Sequence, residues 1–599
     1  MPASNAAPVT PAEVTNLPLS PGAGGALLWH EEAQARPAIV ASPSPTLAAD
    51  PLALGPGPAG SLNRSWTTGP NLYFRRHQDE ILALTVDMTD PLPTGAVELV
   101  TNLGGKWHAV PFHGDADGAF RLALPLAAVP PGAYYLRARY TRDGQAWFWD
   151  RAHYGYLLVD AAGPHHICLY SLLPTLSGTW RDWLAELPRL QALGCNLLHL
   201  LPLTQMDSSG SPYAARNFFA IDPAYLDPND ARPAHEQFAE FANATRAHGL
   251  GLCMDLVLNH AGVHGRLAEM RPDWFVVDEA EPDGLKRAGW HDGHAWHAWR
   301  DLGLLHYGHP HEPTRRELWD YMTAYALFWA RYAYETDGLI RLDNLHSTHP
   351  AFLTHVLAEL RRVYPGIRFQ AELFTDQQSL EQQVWQHRLD FVLATPWEHR
   401  FVPQLREYLQ YVHRLAGRIN FLLPISSHDS GTPAQEFGSV SATWPRYVIS
   451  ALFGTGATGL CQGVEFGVAE KLSFIGHTGK LELPRKLDFS PRLAAVNHLL
   501  ATCTVFQRAG NLKFVDGAHH AILGAWRQAD ESGEDEFLMF ANLDIFHAQT
   551  LMLNPPDYRM DLSGVHLVDA FDDTSLPHGD GPVTITLGPC EVRILRFER

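Results

Sequence analysis

Arg341 and Asp343 stand two apart in the string GLIRLDNLHS, residues 338–347, a run of β-formers that ends in polar and acidic side chains. On a strand, residues two apart project to the same side, so the guanidinium lies against the carboxylate and favours its ionised form. A sheltered, ionised carboxylate can attack carbon and form a covalent ester. Glu372 follows in FQAELF, residues 369–374, at a separation that leaves room for one helix and a further strand. Its neighbours Phe369, Leu373 and Phe374 are apolar, which would raise its pKa and suit it to protonate a departing oxygen and later take the proton back. Such a pair can break and remake a glycosidic bond with retained configuration. DLVLNH, residues 255–260, and SSHDS, residues 426–430, have the same form and add further polar groups. Taken singly, each has a plainer account: a structural Arg–Asp pair, a helical Glu, a satisfied core His. Four strings in this order point to one site.

Those side chains need strand ends to hold them. Each string suits a parallel barrel strand whose body is buried and whose carboxyl end faces an active site. From residue 164 the chain alternates strand-like and helix-like runs: HICLYSLL, WRDWLAELPRLQALG, NLLHLLPL, AHEQFAEFANATRAHG and GLCMDLVL. This alternation predicts an α/β chain with a (β/α)8 TIM barrel over residues 164–480. TRRELWDYMTAYALFWARYAYETDG would lead into the Asp343 strand, and THPAFLTHVLAELRRVYPG would separate it from the Glu372 strand. Before the barrel, residues 61–160 alternate in the manner of a small β-sandwich, and residues 490–599 read as a second, C-terminal β-sandwich. Residues 1–60 are rich in Ala, Pro, Gly and Ser and predict a poorly ordered tail.

The four strings resemble the signature regions of the α-amylase family of glycoside hydrolases. GLIRLDNLHSTHP followed by FQAELFTDQQSL is most similar to the 4-α-glucanotransferase half of glycogen debranching enzymes. The resemblance implies a retaining enzyme in which Asp343 is the nucleophile, Glu372 the general acid and base, and Asp429 the third carboxylate, which grips sugar hydroxyls and stabilises the oxocarbenium-like transition state. It further implies that Tyr213, His260 and His428 contact the sugar next to the cleaved bond, with Asp255, Arg341 and His346 in the same substrate-binding group. Asn259 matches a residue that helps ligate calcium in calcium-dependent members. Where amylases usually carry Lys then His after the nucleophile region, this chain carries His346 then Ser347, so no metal is expected. Glu465 in GVEFG resembles a structural acid after the last strand. The implied activity is 4-α-glucan transfer. An amylase-like hydrolase, a maltosyl-phosphate transferase and a non-catalytic glucan-binding protein are the alternatives.

Bulk properties narrow the classes further. The chain has 599 residues, too many for one ordinary core. Its formal charge of −20 argues against nucleic acid, whose binding relies on basic footprints, and favours a neutral partner such as an α-glucan or malto-oligosaccharide. Six scattered cysteines read as buried free thiols in a reducing, cytoplasmic setting. No run of membrane-spanning length occurs, so no membrane partner is expected. The string GTGATG, residues 454–459, lacks the opening βαβ context of a dinucleotide site, and the His-rich stretch from Trp290 to His311 fits no zinc spacing, so no cofactor is expected.

Overall fold

The computed structural model describes residues 62–64, 72–88 and, with short interruptions, 96–599. The tail expected over residues 1–60 lies outside the described residues. Eight parallel strands close in chain order into a barrel: β1 (Ile167–Leu172), β2 (Leu197–Leu200), β3 (Gly251–Leu256), β4 (Leu339–Leu342), β5 (Arg368–Ala371), β6 (Phe391–Leu393), β7 (Phe421–Pro424) and β8 (Ala457–Cys461), with β8 paired back onto β1. The glycine-rich string at 454–459 is thus the turn into β8 and the strand itself.

Helices follow the strands. They are α1 (Trp180–Ala192), α2 (Ala234–Ala247), α3 (Glu312–Glu335), α4 (Pro350–Val363), α5 (Gln377–His387), α6 (Val402–Leu415), α7 (Thr443–Leu452) and α8 (Ser490–Thr502). In α1 the Thr179 and Asp182 capping box satisfies the first free N–H groups, and Trp180, Trp183, Leu187 and Leu190 fall on one face and are buried. α8 lies within the range read as C-terminal sandwich, but Leu493, Val496 and Leu500 pack into the barrel core. Its buried Asn497 accepts from Tyr447 Oη at 2.6 Å and donates to the Leu193 carbonyl at 2.8 Å.

The two-residue period of the strands divides each into two faces. Outward side chains such as Tyr170, Leu198, Met254, Ile340 and Phe369 join the large core shared with the helices. Inward ones change character along the axis. At the amino end Ile167, Leu169, Leu197, Cys253, Leu339, Leu422 and Ala457 make a small apolar plug. One period further on the interior turns polar, with Ser171, His199, Asp255, Arg341 and Gln370, all 5% exposed or less. The strands therefore deliver polar groups to one end of the barrel only, on a base with no polar atoms to misplace them.

Before the barrel, strands within residues 62–125 form a four-stranded sheet and strands within 72–160 a six-stranded one, and the two share a core that includes Leu84, Val86, Leu99, Leu122, Tyr140 and Leu157. Arg75 ties this region to the barrel: it pairs with Asp160 at 2.6 Å and donates to the Leu389 carbonyl at 2.7 Å. After α8 a six-stranded sheet begins at Leu512 and packs over the two-stranded ladder of residues 549–553 and 583–587. Arg527 fastens it. Its side chain is fully buried and donates to the carbonyls of Leu452, Gly454 and Arg508 and to Asn511, so one guanidinium closes the end of α7 against the C-terminal sheet. Replacing Arg527 with Met leaves those carbonyls buried and unpaired, and is expected to cost about 2–4 kcal/mol in urea unfolding. A change within about 0.5 kcal/mol of zero would show that the contact does not anchor the sheet.

Candidate active site

Register brings the carboxylates to one level. Asp255 on β3 pairs with Arg341 on β4, which pairs with Gln370 on β5; Leu342 pairs with Ala371. The next residue on β4 is Asp343 and the next on β5 is Glu372, so the two acids leave adjacent strands side by side. Their backbones remain bonded, Asp343 N–H to the Leu256 carbonyl at 3.1 Å and Glu372 N–H to the Leu342 carbonyl at 3.1 Å.

One guanidinium serves all three neighbouring carboxylates. Arg341 Nη1 reaches Asp255 Oδ2 at 2.8 Å and Asp343 Oδ1 at 2.9 Å, and its Nη2 reaches Glu372 Oε2 at 2.9 Å. Tyr213, from the loop after β2, donates its hydroxyl to Asp255 Oδ2 at 2.9 Å and lies 2.6 Å from His428 Nε2. His428 Nε2 in turn stands 2.9 Å from Asp429 Oδ2. His199 Nε2 lies 3.1 Å from Asp255 Oδ2, and its other nitrogen meets Ser171 Oγ at 3.0 Å. The result is a continuous polar network across strands β1 to β5 and the loop after β7.

Electrostatics differ among the acids. Burial opposes ionisation of Asp255, but Arg341 and His199 outweigh it and hold the carboxyl below the ordinary range. For Asp343, burial dominates; with Glu372 and Asp255 adding negative charge nearby, Arg341 does not compensate, and the carboxyl is pushed well up. The guanidinium expected to keep Asp343 ionised is shared too widely to do so alone. Asp429 sits at the edge, its side chain 57% exposed, and the neighbouring His428, Arg341 and Lys471 bring its carboxyl down against desolvation.

The remaining expected residues divide clearly. Asp255 and Arg341 are enclosed, with side chains 0% and 3% exposed, so they hold their neighbours in place and present no face to a ligand. His260 is buried, with Trp299 at 6.0 Å between ring centroids; burial lowers its pKa to about 4, against a hydrogen bond with the Tyr213 backbone. Adjacent Asn259 buries an unpartnered amide. Among the described residues no group of three His, Cys, Asp or Glu side chains is placed to hold a metal ion. His346 is exposed on the rim, 6.3 Å from the half-exposed Phe374 ring. The apolar collar expected around Glu372 is not formed by Phe369 and Leu373, which are buried in the core between barrel and helices.

Three contributors escaped the sequence reading. Asn344 takes the left-handed conformation, φ 47° and ψ 47°, and so points its N–H at Glu372 Oε2, 3.0 Å away. Asn tolerates that region better than other residues with a Cβ, and its place directly after Asp343 was the available signal. His199 announced itself as the polar residue inside the apolar run LLHLLPL. Phe474, edge-on to both Tyr213 and His428, lies in a loop that carried no recognisable motif.

Comparison with known proteins places this geometry in context. The model of the glycogen debranching enzyme glucanotransferase domain matches residues 163–280, which include Tyr213, Asp255 and His260. An α-1,4-glucan:maltose-1-phosphate maltosyltransferase of Cereibacter sphaeroides is 24% identical over 423 residues, 65% of this chain and 59% of the relative. A malto-oligosyltrehalose trehalohydrolase of Deinococcus radiodurans is 28% identical over 339 residues, 53% of this chain and 45% of the relative. The chain thus spans less than two thirds of the length of these relatives. Among solved structures, a maltogenic α-amylase from Thermotoga neapolitana superposes with a TM-score of 0.57 at 18% identity, covering 72% of this chain and 99% of that one.

The crowding of carboxylates has a measurable cost. Because the folded state raises the Asp343 pKa above the usual carboxylate value of about 4, the folded form binds a proton that the unfolded form has released, and stability falls as pH rises through that window. Asp343→Asn removes the group. The variant is expected to melt above the wild type at pH 8, with the gap narrowing as pH is lowered toward 5. A gap that widens on acidification would reverse the assigned direction.

Proposed function

We propose that this chain is a member of the α-amylase family and that it transfers segments of α-1,4-linked glucan by a retaining double displacement. Asp343 attacks the anomeric carbon while Glu372 gives its proton to the leaving oxygen; the C1–O bond breaks and an ester to Asp343 forms. Glu372 then takes the proton from an acceptor hydroxyl, whose oxygen bonds to C1 and restores the Asp343 carboxylate. Asp429 and His428 would hold hydroxyls of the ring that becomes cationic, and Tyr213 would line the same subsite.

The observation that carries this reading is the sharing of Arg341 by Asp343 and Glu372, each at 2.9 Å. Two carboxyls within reach of one guanidinium suit the retaining spacing of about 5–5.5 Å better than the wider gap that seats a water. One cation faces three carboxylates, and burial together with the uncompensated negative charge of its neighbours holds the Asp343 carboxyl well above the ordinary range. Transfer over hydrolysis needs an oriented acceptor, and orientation can supply about 7–11 kcal/mol. The antiparallel strands Arg287–His291 and Trp296–Leu304, between β3 and α3, supply candidate contacts: Trp290 is 46% exposed and stacks on His297, with ring centroids 4.7 Å apart.

A second reading is favoured by the relatives named α-1,4-glucan:maltose-1-phosphate maltosyltransferase. It would use the same two carboxylates with phosphate as leaving group. Incubation with maltopentaose distinguishes the cases: transfer redistributes chain lengths with no matching rise in reducing ends, hydrolysis raises reducing ends one for one, and release of phosphate only when α-maltose 1-phosphate is supplied selects the second reading.

Loss of either acid should be severe but different in kind. Asp343→Asn is expected to lower kcat by about 1,000-fold or more, whereas Glu372→Gln should still form the ester from donors with very good leaving groups. Mass spectrometry of Glu372→Gln treated with such a donor should find the adduct on Asp343. An adduct on any other carboxylate refutes the scheme.

A further inference from the structure

The connection between β8 and α8, residues 462–489, contains Lys471 and Phe474, and it is bonded to its neighbours on three sides. Lys471 Nζ donates to the Asp429 carbonyl at 2.6 Å, beyond β7. Beyond β1, Thr175 Oγ1 donates to the Phe474 carbonyl at 2.8 Å, Gly178 N–H to the Gly479 carbonyl at 2.9 Å, and Leu481 N–H to the Leu176 carbonyl at 2.8 Å. Beyond β2, Gly476 N–H donates to the Gly210 carbonyl at 3.0 Å. Gly210 has a φ of 69°, and a Cβ there would stand 2.9 Å from Gly476 Cα, so the two backbones approach as only glycine permits. Phe474, 5% exposed, sets its ring edge-on to Tyr213 at 6.3 Å and His428 at 5.5 Å between centroids. One loop therefore links the exits of β7, β8, β1 and β2.

In a closed eight-stranded barrel, β4 and β5 lie across from β8 and β1. Glu372, where the leaving oxygen must sit, is at the end of β5, and beyond it the rim carries exposed His346 and Phe374. In a pyranose ring C1 and C4 lie on opposite sides. If the leaving group departs toward Glu372, the rest of the donor, attached through O4, must run toward the β8–β1 side, and loop 462–489 stands there. The loop after β2 joins this donor-side barrier through Gly210.

We propose that loop 462–489 ends the donor-binding groove, so that the protein engages an α-glucan by its non-reducing end and moves a short unit of fixed length. This rests on the glucan-active reading above and adds the direction and the length of what is transferred.

The experiment compares maltoheptaose with maltoheptaose whose non-reducing end is capped as a 4,6-O-ethylidene acetal, using the full chain. The free sugar is expected to be consumed with one transferred length dominating the product ladder, and the capped sugar to react at least about 100-fold more slowly, as expected of a steric block. Gly210→Val, which forces the two backbones apart, is expected to raise the rate on the capped sugar relative to the free one. Consumption of the capped sugar within about threefold of the free one, or a ladder without a preferred length, overturns the inference while leaving glucan transfer standing. Consumption of neither overturns the glucan reading itself, and this inference with it.

Discussion

A single guanidinium holds the site together. Arg341 is 3% exposed and pairs with Asp255, Asp343 and Glu372, so its position fixes theirs and its charge is divided among them. A buried cation is tolerated only when fully paired, and a set of buried carboxylates only when a cation and hydrogen bonds meet them. Neither side of this arrangement is stable without the other. Asp255 completes it from behind by anchoring Arg341, Tyr213 and His199 at once. Negative charge remains after Arg341 is counted, and together with burial it raises the Asp343 carboxyl.

The barrel makes such a network possible through register. Parallel pairing sets Asp255, Arg341 and Gln370 at one height, and the next inward pair, Asp343 and Glu372, at the next. The apolar plug of Leu169, Leu197, Cys253, Leu339 and Leu422 beneath them offers no alternative partner for a misplaced polar group. Polar density at one end and apolar closure at the other let a short stretch of each strand specify chemistry while its outward face specifies the fold.

Much of this was legible in the sequence because strands have a period of two and acids at strand ends are conspicuous. The barrel and the grouping of Arg341, Asp343 and Glu372 follow from strand-like strings that end in acids, whereas the place of Asp429, Tyr213 and His428 was what the resemblance to the α-amylase family implied. What could not be read depends on three-dimensional balance. That Arg341 serves three carboxylates, and so leaves Asp343 with a raised pKa, follows from barrel closure and not from the two-residue spacing of Arg341 and Asp343. Which side of β5 Phe369 faces is settled by register, and it faces the helices. His260 sits against Trp299 because an inserted hairpin covers it, an arrangement with no local signature. The reach of residues 462–489 was invisible because main-chain groups carry most of its contacts.

Those contacts have a consequence for divergence. At Gly476, Gly210, Gly178, Gly479, Leu481 and Leu176 the bonds run between main-chain groups, and a main-chain bond persists whatever side chain its residue carries, provided the glycines that allow close approach remain. Substitutions elsewhere in the segment are therefore free to accumulate without detaching it. The segment acts as an adjustable stop whose mounting is inherited and whose face can drift, a means by which descendants of one scaffold can come to measure out sugars of different size.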